Sequence, residues 1–478
     1  MNRPCIVLFR AAFGPNIPES FRQVNPPIGL GYLASSLEKA GFTTHVIDLS
    51  LKNVREDTIQ AFLAKKQPLL VGITALTSYY KGMKDLSIFI KERFPNLPVV
   101  LGGVHASSLP EECLVECHAD FVVRGEGEVT VVELAMELLR PNPDFSKVDG
   151  IAFRVDGSTT FTPDRALITN LDDIPFPAWH KINPNHYPRV PHGVVLKHKS
   201  FASIISSRGC PFNCAYCASC QFWKQKIRFR SPSNVVDEIQ YLHDHFGIEE
   251  IHFWDDNLTL NRDHAVGICK EIIRRGLHHM AFGTPNGLRV DTLDEQLLKL
   301  MRRAGFYELT FAVESASIKI LRSNGKNTDL KKIMWNTVIA RKQGFLVNSF
   351  FMIGFPEDTA ETIEKTIRYA ISVPFTYCLF FLLKPLPGSR IFNTWAAGKT
   401  LLGYDWDKLT TYTQMNDFIL GTLQPAFLFA CQKNAFRRKI FRFPGIVEML
   451  LLTIKYFQIS QMRNKIASFR EFFIKLIS

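Results

Sequence analysis

Three cysteines lie together in one short segment of the chain: Cys210, Cys214 and Cys217. Their spacing, three intervening residues and then two, lets one loop present three thiolates to three irons of a cubic cluster, and thiolates are the usual ligands of such clusters. Three ligands would leave the fourth iron open, as a catalytic metal site requires. A zinc knuckle and a chance grouping are the alternatives. Cys220 could serve as a fourth ligand, although no second cysteine pair follows nearby.

The cysteine segment, with the aromatic Tyr216 directly before its last cysteine, resembles the signature of the radical S-adenosylmethionine (SAM) superfamily. The resemblance implies a [4Fe-4S] cluster whose open iron is chelated by SAM. It also implies that one electron, from a donor such as flavodoxin or ferredoxin, cleaves SAM to methionine and a 5′-deoxyadenosyl radical. The backbone beside Tyr216 is expected to hold the adenine.

Alternating strands and helices must position this loop. From residue 201 to 390, apolar periodicity predicts six strand–helix repeats, with the cysteine loop after the first strand. Six repeats make a partial barrel, whose functional residues belong on loops at the carboxyl ends of the strands. The resemblance places SAM contacts at those strand ends, namely Asp256, Glu314, Ser315, Ile353 and Gly354. Asp256 is expected to hold the SAM amino group, although a turn with helix-capping residues would also explain it.

The preceding part of the chain predicts a second α/β layer. Five buried parallel strands with intervening helices make a doubly wound sheet, in which ligands lie beyond the carboxyl ends of the strands. Glycine-rich loops follow the strands predicted at 99–101 and 121–123. Glycine lets the backbone approach a flat or bulky ligand closely, although each loop alone could be a simple tight turn.

Upstream of the cysteine motif, these loops resemble the cobalamin-binding domain of many radical SAM enzymes. The resemblance implies cobalamin contacts from Gly102, Gly103, His105, Gly125, Glu126, Gly127 and Glu128. The Asp-x-His-x-x-Gly motif that donates a histidine to cobalt in better-known cobalamin proteins is not present. His105 is therefore interpreted as a residue that lines the pocket and not as a cobalt ligand. Some members of this subgroup have lost cobalamin.

The 478 residues are too many for one ordinary core. We predict an α/β protein with a cobalamin-binding-like Rossmann domain at 1–145, a hairpin and proline-rich linker at 146–200, a partial (β/α)6 radical SAM barrel at 201–390, and a mainly helical, basic and apolar region at 391–478. A composition of 46% hydrophobic and 21% charged residues is typical of globular proteins.

Cysteine usage indicates a reducing compartment. Ten cysteines are too few and too unevenly placed for a disulfide framework in this length. Those outside the motif are interpreted as buried or free thiols, with a catalytic role for Cys378 as an alternative. No signal peptide is recognised at the start, so a cytoplasmic enzyme is expected.

The net charge of +12 is concentrated at the end of the chain, where ten basic residues against two acidic ones follow Cys431. Interleaved aromatic and aliphatic residues favour contact in the plane of a membrane, peripherally on its inner face. An amphipathic helix that packs on its own domain is the alternative. The longest apolar run, Met449–Ile454, is too short to span a bilayer. No nucleic-acid partner is expected, because no nucleic-acid-binding fold is recognisable.

The resemblance implies an enzyme that methylates an unactivated carbon, and the basic, apolar tail favours a lipid or isoprenoid-like substrate. A peptide or small natural product is the alternative substrate. A radical cyclase or oxidative rearrangement enzyme, as in tetrapyrrole synthesis, needs the same first steps and stays open. So does a cobalamin carrier or iron–sulfur sensor without catalysis. A transfer-RNA methylthiolating enzyme is disfavoured, because such enzymes carry a second cysteine triad in the leading domain, whereas Cys5, Cys113 and Cys117 here lack a cluster arrangement.

Overall fold

A computed structural model describes residues 3–13, 24–51, 54–189, 195–409 and 420–440. In these ranges the strands form one seven-stranded sheet, one six-stranded sheet and one two-stranded ribbon. The helices found there include none with the length and apolar character needed to cross a bilayer.

The seven-stranded sheet belongs to the first lobe. Its strands are β1 Cys5–Arg10, β2 Thr43–Asp48, β3 Leu70–Thr74, β4 Val99–Gly102, β5 Phe121–Val123, β6 Ile151–Val155 and β7 Ser158–Phe161. They lie in the order β2-β1-β3-β4-β5-β6-β7, and β1 to β5 are parallel. The predicted doubly wound sheet is confirmed. The hairpin β6–β7, predicted within the linker, extends this sheet because β6 pairs antiparallel with β5.

Helices cover both faces of this sheet, as a parallel sheet requires. They are α1 Ile28–Lys39, α2 Glu56–Lys66, α3 Tyr80–Arg93, α4 Val104–Ser108, α5 Pro110–Glu116 and α6 Glu128–Leu138. On one face, Leu30 of α1 and Leu134 of α6 pack with Leu8 and Val100 of the sheet. The short helices α4 and α5 were not predicted. They place the glycine-rich loop after β4 directly at a helix start.

The second lobe is the predicted partial barrel. Its strands are β8 Phe201–Ile204, β9 Ser207–Gly209, β10 Ile227–Phe229, β11 Glu250–Phe253, β12 Ala281–Leu288, β13 Phe306–Glu314, β14 Leu346–Ile353 and β15 Tyr377–Leu382. Six of them form a parallel sheet in the order β15-β14-β13-β12-β11-β8. The remaining two, β9 and β10, pair as a short antiparallel hairpin that the sequence did not predict.

The barrel helices are α7 Ser219–Phe222, α8 Pro232–Phe246, α9 Arg262–Arg274, α10 Glu295–Arg303, α11 Ile318–Ser323, α12 Leu330–Lys342 and α13 Ala360–Ser372. Their ends follow ordinary capping chemistry. The Ser231 side chain accepts a hydrogen bond from the Asn234 N–H at the start of α8, and Gly247 ends that helix in the left-handed region. The linker residues 190–194 lie outside the described ranges.

The C-terminal region contributes helices α14 Arg390–Ala396 and α15 Pro425–Ile440. The α15 helix packs on the barrel: Phe436 contacts Phe380 of β15 with ring centroids 5.4 Å apart, and Arg438 forms an ion pair with Glu364 at 2.6 Å. The described part of the predicted membrane-contacting tail therefore packs on its own domain. Residues 441–478, with most of the basic residues of that prediction, lie outside the described ranges.

Candidate functional site

The cysteine loop runs from the end of β9 to the start of α7 and is held by neighbouring backbone. The Ala215 N–H donates to the Asn324 carbonyl at 2.9 Å, and Arg390 Nη2 donates to the Asn213 carbonyl at 2.9 Å. A Cβ on Gly325 would lie only 2.4 Å from that Asn213 oxygen. The three motif cysteines are partly exposed, so the fold fixes the loop while leaving its sulfurs accessible.

Cys220 does not extend this ligand set. It is buried, and its thiol donates to the Cys217 carbonyl at 2.9 Å. Burial, and after it the charge of Asp256, raises the pKa of the Cys217 thiol to about 12. Metal coordination, which requires the deprotonated ligand, would hold this sulfur as a thiolate. Within the described ranges, no three His, Cys, Asp or Glu side chains converge on a point that a single ion could occupy. Three thiol donors on one fixed loop fit an iron–sulfur cluster.

The two aspartates after β11 have different roles. Asp255 is 3% exposed and accepts hydrogen bonds from the Ser206 and Ser207 hydroxyls at 2.7 and 2.5 Å. Asp256 accepts a hydrogen bond from the Ser219 hydroxyl at 2.7 Å and lines the large cavity between the lobes. Asp255 therefore holds the backbone after β8, and Asp256 is the carboxylate that faces the site.

We expect Asp256→Asn to weaken SAM binding about tenfold to a hundredfold, because a hydrogen bond to a charged group contributes about 1.5–3 kcal/mol. Equilibrium binding to the anaerobic protein measures the effect. Asp237→Asn, a surface carboxylate of α8 paired with Arg275, is the matched control and should leave SAM affinity unchanged. Equal affinity of Asp256→Asn and the parent protein would contradict the assignment.

Glu314 ends β13 in a strained conformation. Its φ of +68° is uncommon for a residue other than glycine, and it follows a register shift in the pairing with β14. Its carboxylate is buried and accepts a hydrogen bond from Lys326 Nζ at 3.0 Å. Lys326 was not predicted as a site residue. The Ser315 hydroxyl, predicted as a SAM contact, lies 3.3 Å from the Thr366 hydroxyl of α13 and so faces the helix layer.

The side chain of Ile353 also faces away from the barrel interior. Ile353 is fully buried in the outer core, whereas Phe350 and Met352 are partly exposed. Side chains alternate along a strand, so Phe350 and Met352 face the interior, where Phe350 meets Phe381 with ring centroids 5.4 Å apart. Only the backbone at 353–354 stays available for the predicted SAM contact. The Gly354 N–H donates to Asp358 at 2.9 Å, which fixes that turn.

Two further predicted residues can be placed by their neighbours. The Tyr216 ring packs edge-on against Phe355, with centroids 5.8 Å apart, so the aromatic residue of the cysteine motif lies beside the turn that follows β14. Cys378 is buried, and its thiol lies 3.2 Å from the Ser349 hydroxyl and 3.6 Å from the Ala370 carbonyl of α13. It faces the helix layer, away from the barrel interior, which removes the alternative of a catalytic thiol there.

A cavity of about 310 Å³ lies where the two lobes meet. The predicted residues that line it are Gly102, Gly103, Gly125, Glu126, Gly127 and Glu128. The second lobe contributes Arg208, Trp223, Trp254 and Asp256. The glycine-rich loops and the start of the cysteine segment therefore face one shared space.

The inner wall of this cavity is apolar and shaped by small residues. Leu8, Leu30 and Val100 line it between the sheet and α1. A Cβ on Gly103, whose φ is +95°, would lie 2.7 Å from the Thr74 hydroxyl, and a Cβ on Gly127 would lie 3.0 Å from Leu33. A side chain at Gly103 or Gly127 would therefore collide with these neighbours and displace the backbone. Glycine backbone beside an apolar wall fits a large planar cofactor such as cobalamin.

His105 does not line the cavity, contrary to prediction. It is fully buried beside Tyr80 and Trp406, with ring centroids 4.5 and 5.0 Å away, and its Nδ1 lies 3.1 Å from the Thr77 hydroxyl. The prediction was wrong because α4 turns this side chain toward Tyr80 and Trp406 and not into the cavity. Burial lowers the pKa of His105 from 6.5 to about 3.

This burial predicts a component of acid sensitivity. The folded protein holds His105 neutral, while the unfolded chain takes up a proton below its ordinary pKa of 6.5. The contribution of neutral His105 to the free energy of unfolding is therefore fully present above pH 6.5. It is lost as the pH falls toward 3, by at most ~1.4 kcal/mol per pH unit. We expect His105→Asn to lose less stability than the parent between about pH 7 and pH 5 in denaturant titrations, and to bind cobalamin normally. Identical pH slopes would contradict the assignment.

Comparisons with known proteins agree with this arrangement. Residues 17–135 match the B12 binding domain, and residues 204–370 match the radical SAM superfamily. An uncharacterized methyltransferase of Pyrococcus horikoshii is 34% identical over 389 residues, which cover 81% of this chain and 82% of the relative. The anaerobic magnesium-protoporphyrin IX monomethyl ester cyclase of Rubrivivax gelatinosus is 30% identical over 394 residues, which cover 81% of this chain and 69% of the relative.

A solved structure shares the fold. The radical SAM methyltransferase TsrM from Kitasatospora setae, with cobalamin and a [4Fe-4S] cluster bound, superposes with a TM-score of 0.69 at 19% identity. The match covers 93% of this chain and 83% of TsrM. The order of the two lobes is thus the same in both proteins.

Proposed function

The chain belongs to the family of radical SAM enzymes that carry an amino-terminal B12-binding domain, and we propose that it methylates an unactivated carbon of its substrate. The family resemblance predicted from the cysteine motif and the glycine-rich loops is confirmed. So are the [4Fe-4S] cluster, SAM and cobalamin as cofactors of the family. When bound, the cluster supplies the electron that cleaves SAM to a radical, and cobalamin carries the methyl group.

The shared cavity is the observation that carries this proposal. Gly102 and Gly127 line the cavity on the side of the first lobe, and Asp256 on the other side presents a carboxylate suited to the SAM ammonium group. Trp223 and Trp254 line the same space and would keep water from a reactive radical. A substrate carbon held there could meet both the hydrogen-abstracting radical and the methyl donor without leaving the site.

Isotope transfer tests methylation directly. A strain that lacks the protein is complemented with the parent chain or with Cys214→Ala and supplied with methionine that carries a deuterated methyl group. We expect a metabolite that contains the intact labelled methyl group only with the parent chain. Labelled product in both strains, or none with the parent, would contradict methyl transfer.

Radical cyclisation is the second candidate, because a relative that covers most of this chain is named as a cyclase. It uses the same radical start but no methyl group. A parent-dependent metabolite that lacks the label would favour cyclisation over methylation.

We propose an apolar substrate, with a lipid or isoprenoid-like molecule as the first choice. Five side chains of β14 and β15 face the barrel interior and are partly exposed: Phe350, Met352, Tyr377, Leu379 and Phe381. Asn348, on the same face of β14, is buried and donates to Glu308 at 2.6 Å. An interior wall without charged side chains on these two strands favours a hydrocarbon body over a polar one.

A reducing cytoplasm, with flavodoxin or ferredoxin as electron donor, suits an oxygen-sensitive cluster.

Membrane contact through the end of the chain is proposed together with this substrate. Six basic residues follow Ile440, and attraction to anionic lipid adds about 1 kcal/mol per basic residue near the surface. In flotation with anionic vesicles, we expect the full chain to bind and a chain that ends at Ile440 to stay in the soluble fraction. Equal flotation of both chains would count against this role of the tail.

A further inference from the structure

Arg208 joins the two lobes at the shared cavity. Arg208 Nη1 donates to Glu126 at 2.8 Å, and Nη2 donates to Glu128 at 2.6 Å. The guanidinium also lies over the Tyr32 ring of α1, 5.0 Å from its centroid. All three ion-paired side chains are less than one-tenth exposed. A planar group with two carboxylate partners and a ring beneath it has one orientation.

The network continues into the second strand of the hairpin. Arg228 of β10, the pairing partner of Arg208 in β9, donates to the other oxygen of Glu126 at 2.6 Å. The Ile168 N–H donates to the same oxygen at 2.8 Å. Two carboxylates and two guanidinium groups thus balance each other in charge, and both carboxylate oxygens of Glu126 accept hydrogen bonds.

The network connects the glycine-rich loop at the cavity with the segment just before the cysteine motif. Glu126 and Glu128 alternate with Gly125 and Gly127 in the loop that lines the cavity. Arg208 stands two residues before Cys210, the first cysteine of the motif. The residue between them, Gly209, has a φ of +95°, and a Cβ on it would lie 2.0 Å from the Lys226 carbonyl. The backbone between Arg208 and Cys210 therefore has little freedom to absorb a shift.

We propose that Arg208 is a positioning residue, which fixes the cobalamin-side loop relative to the first cluster ligand and so sets the separation of the two cofactors. Buried ion pairs are poor sources of net stability but can specify one arrangement among several. This inference rests on the two cofactors alone and not on which carbon is methylated, so it can fail while the proposed function stands.

The test uses the full chain loaded with both cofactors and no substrate. Electron paramagnetic resonance measures the magnetic interaction between the reduced cluster and cob(II)alamin, which depends steeply on their separation. Cobalamin affinity is measured in parallel. For Arg208→Gln we expect iron content as in the parent, a changed or broadened interaction, and about tenfold weaker cobalamin binding, equal to ~1.4 kcal/mol. Arg208→Lys keeps the positive charge but not the planar guanidinium that bonds two carboxylates. Its magnetic interaction and cobalamin affinity should lie between those of the parent and those of Arg208→Gln.

Arg230→Gln is the matched control. Arg230 is equally buried, pairs with Glu238 and does not line the cavity of about 310 Å³. It should retain the parent spectrum. An unchanged magnetic interaction in Arg208→Gln, or an equal change in Arg230→Gln, would overturn the proposal. If Arg208→Gln does not fold, Arg208→Lys is measured in its place, because lysine keeps the positive charge but cannot bond Glu126 and Glu128 with one planar group. A parent-like spectrum there would also overturn the proposal.

Discussion

Replacing Cys214 by alanine is expected to abolish the release of 5′-deoxyadenosine from SAM, down to the level of the reaction without protein. The loop that carries Cys214 offers three thiol ligands. The next cysteine after them, Cys220, donates a hydrogen bond from its thiol to the Cys217 carbonyl. A cluster with two protein ligands cannot be held with one iron reserved for SAM. Anaerobic reconstitution with iron and sulfide, followed by SAM and dithionite, measures the effect by chromatography.

Cys220→Ser is the control for this experiment. A serine hydroxyl keeps a donor toward the Cys217 carbonyl, so we expect iron content and 5′-deoxyadenosine formation close to those of the parent. Retained SAM cleavage in Cys214→Ala, or its complete loss in Cys220→Ser, would mean that the ligand set differs from the motif.

Filling the cavity from the first lobe has the second large expected effect. Gly102→Phe should weaken cobalamin binding at least about a hundredfold, because its ring would occupy the space that the cofactor needs. The first carbon of the new side chain causes no strain: Gly102 lies outside the left-handed region, and a Cβ there would lie 4.0 Å from the Val123 carbonyl. The absorbance of bound cobalamin after gel filtration measures the loss.

Gly102→Ala gives a graded comparison, since one methyl group removes little of the cavity. We expect its cobalamin affinity to lie within about tenfold of the parent. Both variants should retain the cluster, because the cysteine loop belongs to the other lobe. Parent-like cobalamin binding by Gly102→Phe would place the cofactor elsewhere.

The sequence predicted the architecture because its strongest signals are local. Continuous apolar runs marked the buried parallel strands, and capping residues such as Ser231 and Gly247 marked helix ends. The cysteine spacing and the glycine-rich loops identified the family without any tertiary contact. These features depend on residues a few positions apart, so one chain suffices to detect them.

Features that depend on distant contacts were missed. Arg208 and its partner Glu126 are 82 positions apart, and the environment of His105 depends on Trp406. Which face of β14 points inward depends on the register with β13, which shifts near Glu314. The sequence motif that singled out Ile353 therefore did not show which way its side chain points, because a one-residue change in register moves a side chain to the opposite face.

We infer that the iron left open by the three cysteines of the β9–α7 loop binds SAM. Electron–nuclear double resonance of the reduced, reconstituted protein, with SAM labelled at its amino and carboxyl groups, tests this most directly. We predict magnetic coupling of both labelled groups to the cluster, absent in Cys214→Ala. A reduced cluster that shows no coupling to bound SAM, or a protein that contains zinc in place of iron, would contradict the account.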